Sequence, residues 1–234
     1  MIDHYAVLEK NLIAVDCVVF GYNIIDKELK LLLIKRKFEP EYGKWSLPGG
    51  FVKRNEGVQE ATYRVLYQLT GLKDVYLEQS SAWGDVNRDT GGRVITISHF
   101  ALINTYKLDP VMIEASSAHW RSISRIPKLI FDHKKIVEKA HKQLIDRIKV
   151  KPVGFELLPE KFTLVQLQDL YEAIYQRTID KRNFRKKIIS MNLLEKLDEK
   201  EKETSKKGAY YYRFIPQRYE DFKRQGFYFN LDVH

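Results

Sequence analysis

One short stretch constrains this chain more than any other. Trp45-Ser46-Leu47-Pro48-Gly49-Gly50-Phe51-Val52 sets a proline and paired glycines among apolar residues, and residues 57–69 then have helical character and stop at Gly71. Proline fixes φ and lacks a donor, and glycine admits backbone paths closed to other residues, so this segment demands an unusual turn. A glycine just past the last apolar position is a common helix stop. The turn and helix together carry Gly50, Glu56, Arg64, Leu66, Gly71 and Leu72 at set intervals.

The remainder divides by pattern. Ile13–Phe20 and Leu31–Ile34 are short β-branched or aliphatic runs, with Gly21-Tyr22-Asn23 and Asp26-Lys27-Glu28 as turn signals between them. Further strands are expected at 75–84 and 93–103. A helix starting near Asp132 places Ile136, Ala140, Leu144 and Ile145 at helical spacing, and Lys151-Pro152-Val153-Gly154 interrupts it. The domain boundary is placed there, giving domains 1–150 and 151–234. In the second, Thr163 is a candidate cap for a helix through Leu164, Leu167, Tyr171 and Ile174, and Asp180 for a helix burying Phe184, Ile188 and Met191. After Leu194–Leu197 comes a charged run, Asp198 to Lys207, expected as a solvated hairpin tip, and then the aromatic strand Ala209–Phe214. Helix, turn, helix and hairpin make a winged helix-turn-helix.

Composition narrows the function classes. Of 234 residues 44% are hydrophobic and 30% charged, which suits a globular core, and the formal net charge of +9 favours a polyanionic partner. Charge alone does not separate nucleic acid from a membrane surface. The single cysteine, Cys17, lies in an apolar run, which excludes an intrachain disulfide or cysteine zinc cluster and reads as a small buried hydrophobe. The first residues carry Asp3, His4, Glu9 and Lys10 with no long apolar stretch, so neither a signal peptide nor a membrane span is read there and a cytoplasmic location is expected.

Residues 50–72 resemble the Nudix box: a glycine, five residues, a glutamate, seven residues, then Arg-Glu-apolar-x-Glu-Glu-x-Gly-apolar. The fold implied is α+β, a mixed sheet sandwiched by helices. Three box glutamates that hold magnesium or manganese in active relatives correspond to Val65, Gln68 and Leu69. Such hard cations take charged oxygen ligands, and residues 65, 68 and 69 share one helix face. No catalytic or metal-binding residue is therefore assigned and no cofactor is expected. Glu56 and Arg64, by the resemblance, form the pair that braces loop against helix. A divergent hydrolase with relocated ligands, acting on ADP-ribose or a related nucleoside diphosphate, is the alternative; Glu60 is nearby but is a single residue in the wrong place.

A Nudix domain followed by a basic winged helix resembles the Nudix-related transcriptional regulators, the NrtR-like family. The segments 127–133, 162–172 and 180–188, and the turn Asp89-Thr90-Gly91-Gly92-Arg93, carry that likeness. It implies a homodimer on a palindromic duplex operator, released when a metabolite enters the Nudix pocket. The chain also looks similar to the arabinose-responsive AraR regulators of Bacteroides, which implies L-arabinose as effector and repression of sugar catabolism; ADP-ribose ranks below it. Candidate effector residues are Asp16, Lys35, Arg36, Trp83, Asp85, Arg88, Asp89 and Arg93, with His99 and His119 weaker. Planar polar groups suit hydroxyl pairs and an aromatic face suits a sugar's C–H surface, while a surface salt bridge or a satisfied core group explains each equally well. Candidate DNA contacts are Arg177, Lys181, Arg182, Asn183, Arg185, Lys186 and Lys187 on the second helix and its lead-in, and Lys206, Lys207, Tyr210 and Tyr212 on the wing.

Overall fold

A computed structural model of the chain describes residues 8–108, 116, 118–202 and 208–226. Two compact units divide them. The first holds the chain through Phe20, Lys30–Leu102 and the chain through Ala140; the second holds Gly21–Leu29, Ile103–Leu108 and the chain from His141. The sequence break at 151 thus falls ten residues after the change of unit.

The first unit is built on a seven-stranded sheet. Its strands are β1 (Leu12–Asn23), β2 (Glu28–Lys35), β3 (Trp45–Ser46), β4 (Gly49–Phe51), β5 (Glu78–Trp83), β6 (Val94–Asn104) and β7 (Ala118–Ser122). Their order is β3-β2-β1-β6-β5, with β4 paired to β1 and β7 to β2. Ala14 to Tyr22 are all buried, so β1 is covered on both faces and reads as a continuous apolar run rather than an alternation. Helix α1 (Val58–Thr70) buries Ala61, Val65 and Leu66 and ends on Gly71 at φ 74°, the left-handed conformation glycine adopts without steric cost. Helix α2 (His133–Val150) follows.

β1 and β2 run several residues beyond the expected limits, because backbone pairing continues through the turn signals. β7 was not expected at all. Its sequence, Ala-His-Trp-Arg-Ser, has one buried position and no apolar run, and only its pairing with Lys30–Ile34 of β2 makes it a strand.

The second unit contains β8 (Phe162–Thr163), α3 (Leu164–Tyr175), α4 (Lys181–Ser190), β9 (Leu194–Glu201), β10 (Ala209–Phe214) and α5 (Pro216–Arg224). Both expected caps are present. The Gln166 amide donates to Thr163 Oγ1 at 3.2 Å while the Thr163 amide donates to Gln166 Oε1 at 2.8 Å, a reciprocal capping box. The Asn183 amide donates to Asp180 Oδ1 at 2.8 Å. Tyr171 and Phe184, both fully buried, join α3 to α4 with ring centroids 5.8 Å apart. Phe155 stacks on Phe214 at 4.3 Å and closes the other side of this core.

The charged run corrects one expectation. Asp198–Glu201 is strand, not hairpin tip: Lys200 faces Tyr210 and Glu201 faces Ala209 across the β9–β10 ladder. Alternate residues of a two-stranded ribbon point to solvent, so a row of charges is compatible with pairing. The expected tip at 203–207 lies outside the described residues. α5 and β8 were also unforeseen, since their apolar positions are too few to set a period.

Candidate functional site

The box turn brings backbone against side chain. A Cβ on Gly50 would sit 2.9 Å from Val65 Cγ2, and one on Gly49 2.3 Å from Asp16 Oδ1. Both glycines are therefore required by close approach. Beyond the turn, Arg64 grips Glu56 with two hydrogen bonds, the Nε bond 2.7 Å long, and donates to Phe51 O at 3.0 Å. The Lys53 amide donates to Glu56 Oε1 at 2.8 Å. The Arg64 hydrogen bond holds the Glu56 carboxyl well below the usual carboxylate range, at about 2. Loop and helix are braced as the resemblance implied.

The face of α1 that would hold a divalent ion does not fit one. Val65 is buried with Val15 and Ala61, and Leu69 packs beside them. Gln68 offers one neutral oxygen, which already accepts from Arg64 at 3.2 Å. Glu60 accepts the Gly57 amide at 2.8 Å and so caps the helix. Two hydrocarbons and an occupied amide supply none of the charge that magnesium or manganese needs.

Beside this face lies a small cavity of about 110 Å³ that opens to solvent. Its lining includes Asp16, Lys35, Arg36, Lys37, Arg88 and Asp89, together with Phe38, Leu69, Phe131 and His133. Arg88 is buried and forms a bidentate pair with Asp132, at 2.9 and 2.7 Å, with Asp16 Oδ2 3.8 Å away. Burial works against the guanidinium charge, but the Asp132 hydrogen bonds and the nearby charges of Asp132, Asp16 and Asp89 together outweigh it and the group titrates above its ordinary range. Burial lowers His133. Its Nδ1 accepts the Leu47 amide at 3.1 Å, so the ring proton is on Nε2, which faces Asp16 Oδ1 at 3.8 Å. Asp16 thus has Arg88 as an ion-pair partner and the His133 ring facing it, each at 3.8 Å.

Two aromatic rings flank Arg36, that of Phe38 at 4.0 Å and that of Phe131 at 5.4 Å. Phe131 has φ 47°. A bulky residue in the left-handed region stores roughly 1–3 kcal/mol of strain, which clusters at ligand sites. Here the strained backbone places a ring at the cavity wall.

Five of the eight expected effector residues meet in this cavity: Asp16, Lys35, Arg36, Arg88 and Asp89. Three do not line it. Trp83 Nε1 donates to Ser98 Oγ at 2.9 Å. Arg93 donates to the Gly84 and Asp85 carbonyls, at 2.6 and 3.2 Å, and ties together the loop that Asp85 belongs to. The nearness of these three in sequence does not bring them to the cavity wall. His99 is buried against Thr62 and His119 stands edge-on to Trp45. Phe38, Phe131 and His133 line the cavity beyond the expected residues; the likeness over 127–133 does not say that Phe131 and His133 turn inward, and nothing in the sequence marks Phe38. Cys17 is buried, and burial pushes its thiol up, as a core residue requires.

In the second unit, α4 presents Lys181, Arg182, Asn183, Arg185 and Lys186 exposed, opposite the buried Phe184 and Ile188. Among the described residues no carboxylate pairs with Lys181, Arg182, Arg185 or Lys186. Lys187 is half-buried. Arg177 precedes the helix and stacks over Tyr175 at 5.4 Å. On the wing, Tyr210 is exposed and carries Lys196 at 3.6 Å and Lys200 at 4.5 Å over its ring, while Tyr212 is half-buried. Lys196 and Lys200 join the wing beyond the expected contacts: Lys200 falls in the run expected as a hairpin tip, and Lys196 just before it. Lys206 and Lys207 lie outside the described residues.

A sheet and box helix of this form, followed by a three-stranded winged helix with a cationic second helix, define a Nudix-fold protein with a DNA-binding module. Residues 11–140 match the NUDIX domain family and residues 154–214 the NrtR DNA-binding winged helix domain, and the chain belongs to the NrtR-like Nudix regulators. It is 32% identical over 213 residues to the ADPR responsive transcriptional repressor NtrR of Acinetobacter baylyi, covering 89% of this chain and 84% of that protein. Its fold is similar to that of Shewanella oneidensis NrtR complexed with a 27mer DNA, with a TM-score of 0.73 and 28% identity over 95% of this chain and 99% of that one. The Nudix half is 37% identical over 115 residues to an ADP-ribose pyrophosphatase of Methanocaldococcus jannaschii, covering 49% of this chain and 68% of that protein. None of these relatives is named for arabinose, and the likeness to the AraR regulators finds no support in them. Among the described residues no helix is long and apolar enough to cross a membrane.

Proposed function

We propose that this chain is a cytoplasmic transcriptional repressor that binds duplex operator DNA through α4 and the wing, as a homodimer on a palindromic site. A small-molecule effector binds in the Nudix-fold cavity without being cleaved and releases the DNA. One observation carries the reading: α1 presents Val65, Gln68 and Leu69 where a metal would need acids, while Lys35, Arg36, Lys37 and Arg88 line the adjoining cavity. Cations of that kind bind phosphate oxygens directly, without a bridging ion. ADP-ribose is the effector this supports best, because one relative responds to it and another hydrolyses it.

The test has two parts. In a gel shift on a duplex selected from a random library, ADP-ribose should release the protein and Arg36→Ala should abolish that release while leaving DNA binding intact. Incubation with ADP-ribose and magnesium should yield no AMP; steady AMP production would establish a hydrolase instead.

A second reading has one observation in its favour. Asp16 places a buried carboxylate on the cavity wall, a group that accepts from sugar hydroxyls and repels phosphate. A neutral pentose such as L-arabinose would then be the effector, with control of sugar catabolism. Release by L-arabinose but not by ADP-ribose, abolished in Asp16→Asn, would select it.

A further inference from the structure

This inference rests on the DNA-binding reading above and concerns what α4 recognises. At 100° per residue, Arg182, Arg185, Lys186 and Ile189 fall within about 100° of one another, on the side away from Phe184 and Ile188. Three of the four are long cations. The fourth is an isoleucine that is 53% exposed. Its neighbour Ile188, 2% exposed, already makes the core contact, so packing within the unit does not account for Ile189. Local propensity does not either, since a β-branched side chain is among the weaker helix formers.

Phosphate rewards the three cations and gives nothing to a hydrocarbon. A base edge does: in the major groove the one apolar group presented by any base is the thymine C5-methyl. Ile189 lies seven residues past Arg182, two helical turns along the same stripe. That is about 10 Å of helix axis, or roughly three base-pair steps. We propose that Ile189 is a specificity-determining residue that packs on a thymine methyl in the major groove, roughly three base pairs from the position that Arg182 contacts.

The experiment starts from duplexes selected with the full chain from a random library. Each thymine of the selected duplex is then replaced by deoxyuridine, which removes the methyl and nothing else. One thymine position should lose binding on substitution, by about fourfold, the ratio that corresponds to one buried methylene-sized group at about 0.8 kcal/mol. Ile189→Ala should weaken binding to the thymine duplex to a similar degree and be indifferent to uracil there, while Ile189→Val should keep the discrimination. Arg185→Ala should weaken both duplexes equally. The proposal is overturned if no uracil substitution affects the wild type, or if Ile189→Ala discriminates as the wild type does. It is also overturned if Ile189→Ala loses self-association in gel filtration and keeps full uracil sensitivity, which makes Ile189 a contact between copies. If no duplex is selected at all, the DNA-binding reading falls first and this one with it.

Discussion

α1 and α4 are short amphipathic helices whose functional stripes carry opposite chemistry. In α1 the stripe beside the cavity is hydrocarbon and amide, Val65, Gln68 and Leu69, where relatives with chemistry need acids. In α4 the outer stripe is cationic, with Arg182, Arg185 and Lys186 unmatched by acids among the described residues. α1 is held by the Glu56–Arg64 brace and by Val65 itself in the core, and α4 by Phe184 and Ile188. In α1 the stripe without acids has become part of the core, since Val65 packs with Val15 and Ala61, whereas in α4 the cationic stripe is exposed and separate from the core.

The comparison can be broken most severely by restoring an acid to α1. Val65→Glu puts a carboxyl at a site that is 3% exposed, packed against Gly50. A fully buried acid has its pKa raised by up to 3–5 units, so at pH 7 it folds largely neutral, and forcing it from its ordinary value of about 4.3 costs about 3–4 kcal/mol. Thermal unfolding should therefore show a large loss of stability and no gain of pyrophosphatase activity. A stable, magnesium-dependent hydrolase would mean that the metal face was merely dormant. Phe184→Ala, on the buried stripe of α4, should cost about 3–5 kcal/mol in denaturant unfolding, and DNA binding with it. Unchanged stability would place the core of the winged helix elsewhere.

Smaller effects sharpen the contrast. Asp180→Ala removes the cap of α4 and should cost about 1 kcal/mol; Asp180→Asn should restore most of it. For α1, Glu56→Gln tests the brace through pH. The Glu56 carboxyl titrates near 2 in the folded protein, below the ordinary value of about 4.3. Its contribution is therefore present in full above about pH 5 and fades as the pH falls towards 2. Wild type should be the more stable protein at neutral pH, and the two stability curves should converge on acidification. Parallel curves down to pH 2 would remove the ion pair from the account.

The sequence alone determined the local elements and their punctuation. The box spacing fixed α1 and its stop at Gly71, the caps at Thr163 and Asp180 fixed α3 and α4, and the missing acids at 65, 68 and 69 were legible because side chains on one helix turn share a face. The tertiary structure alone decided which distant groups meet. Asp16, Arg88 and His133 come from three elements far apart in the chain and gather at one cavity, whereas Trp83, Asp85 and Arg93, close together in sequence, do not line it. β7 and the charged half of β9 are strands only because a neighbouring backbone pairs with them. Hydrophobic period and capping act over a few residues and can be read along a chain. Pairing across a sheet and convergence at a cavity depend on contacts between residues tens of positions apart, and no local pattern encodes them.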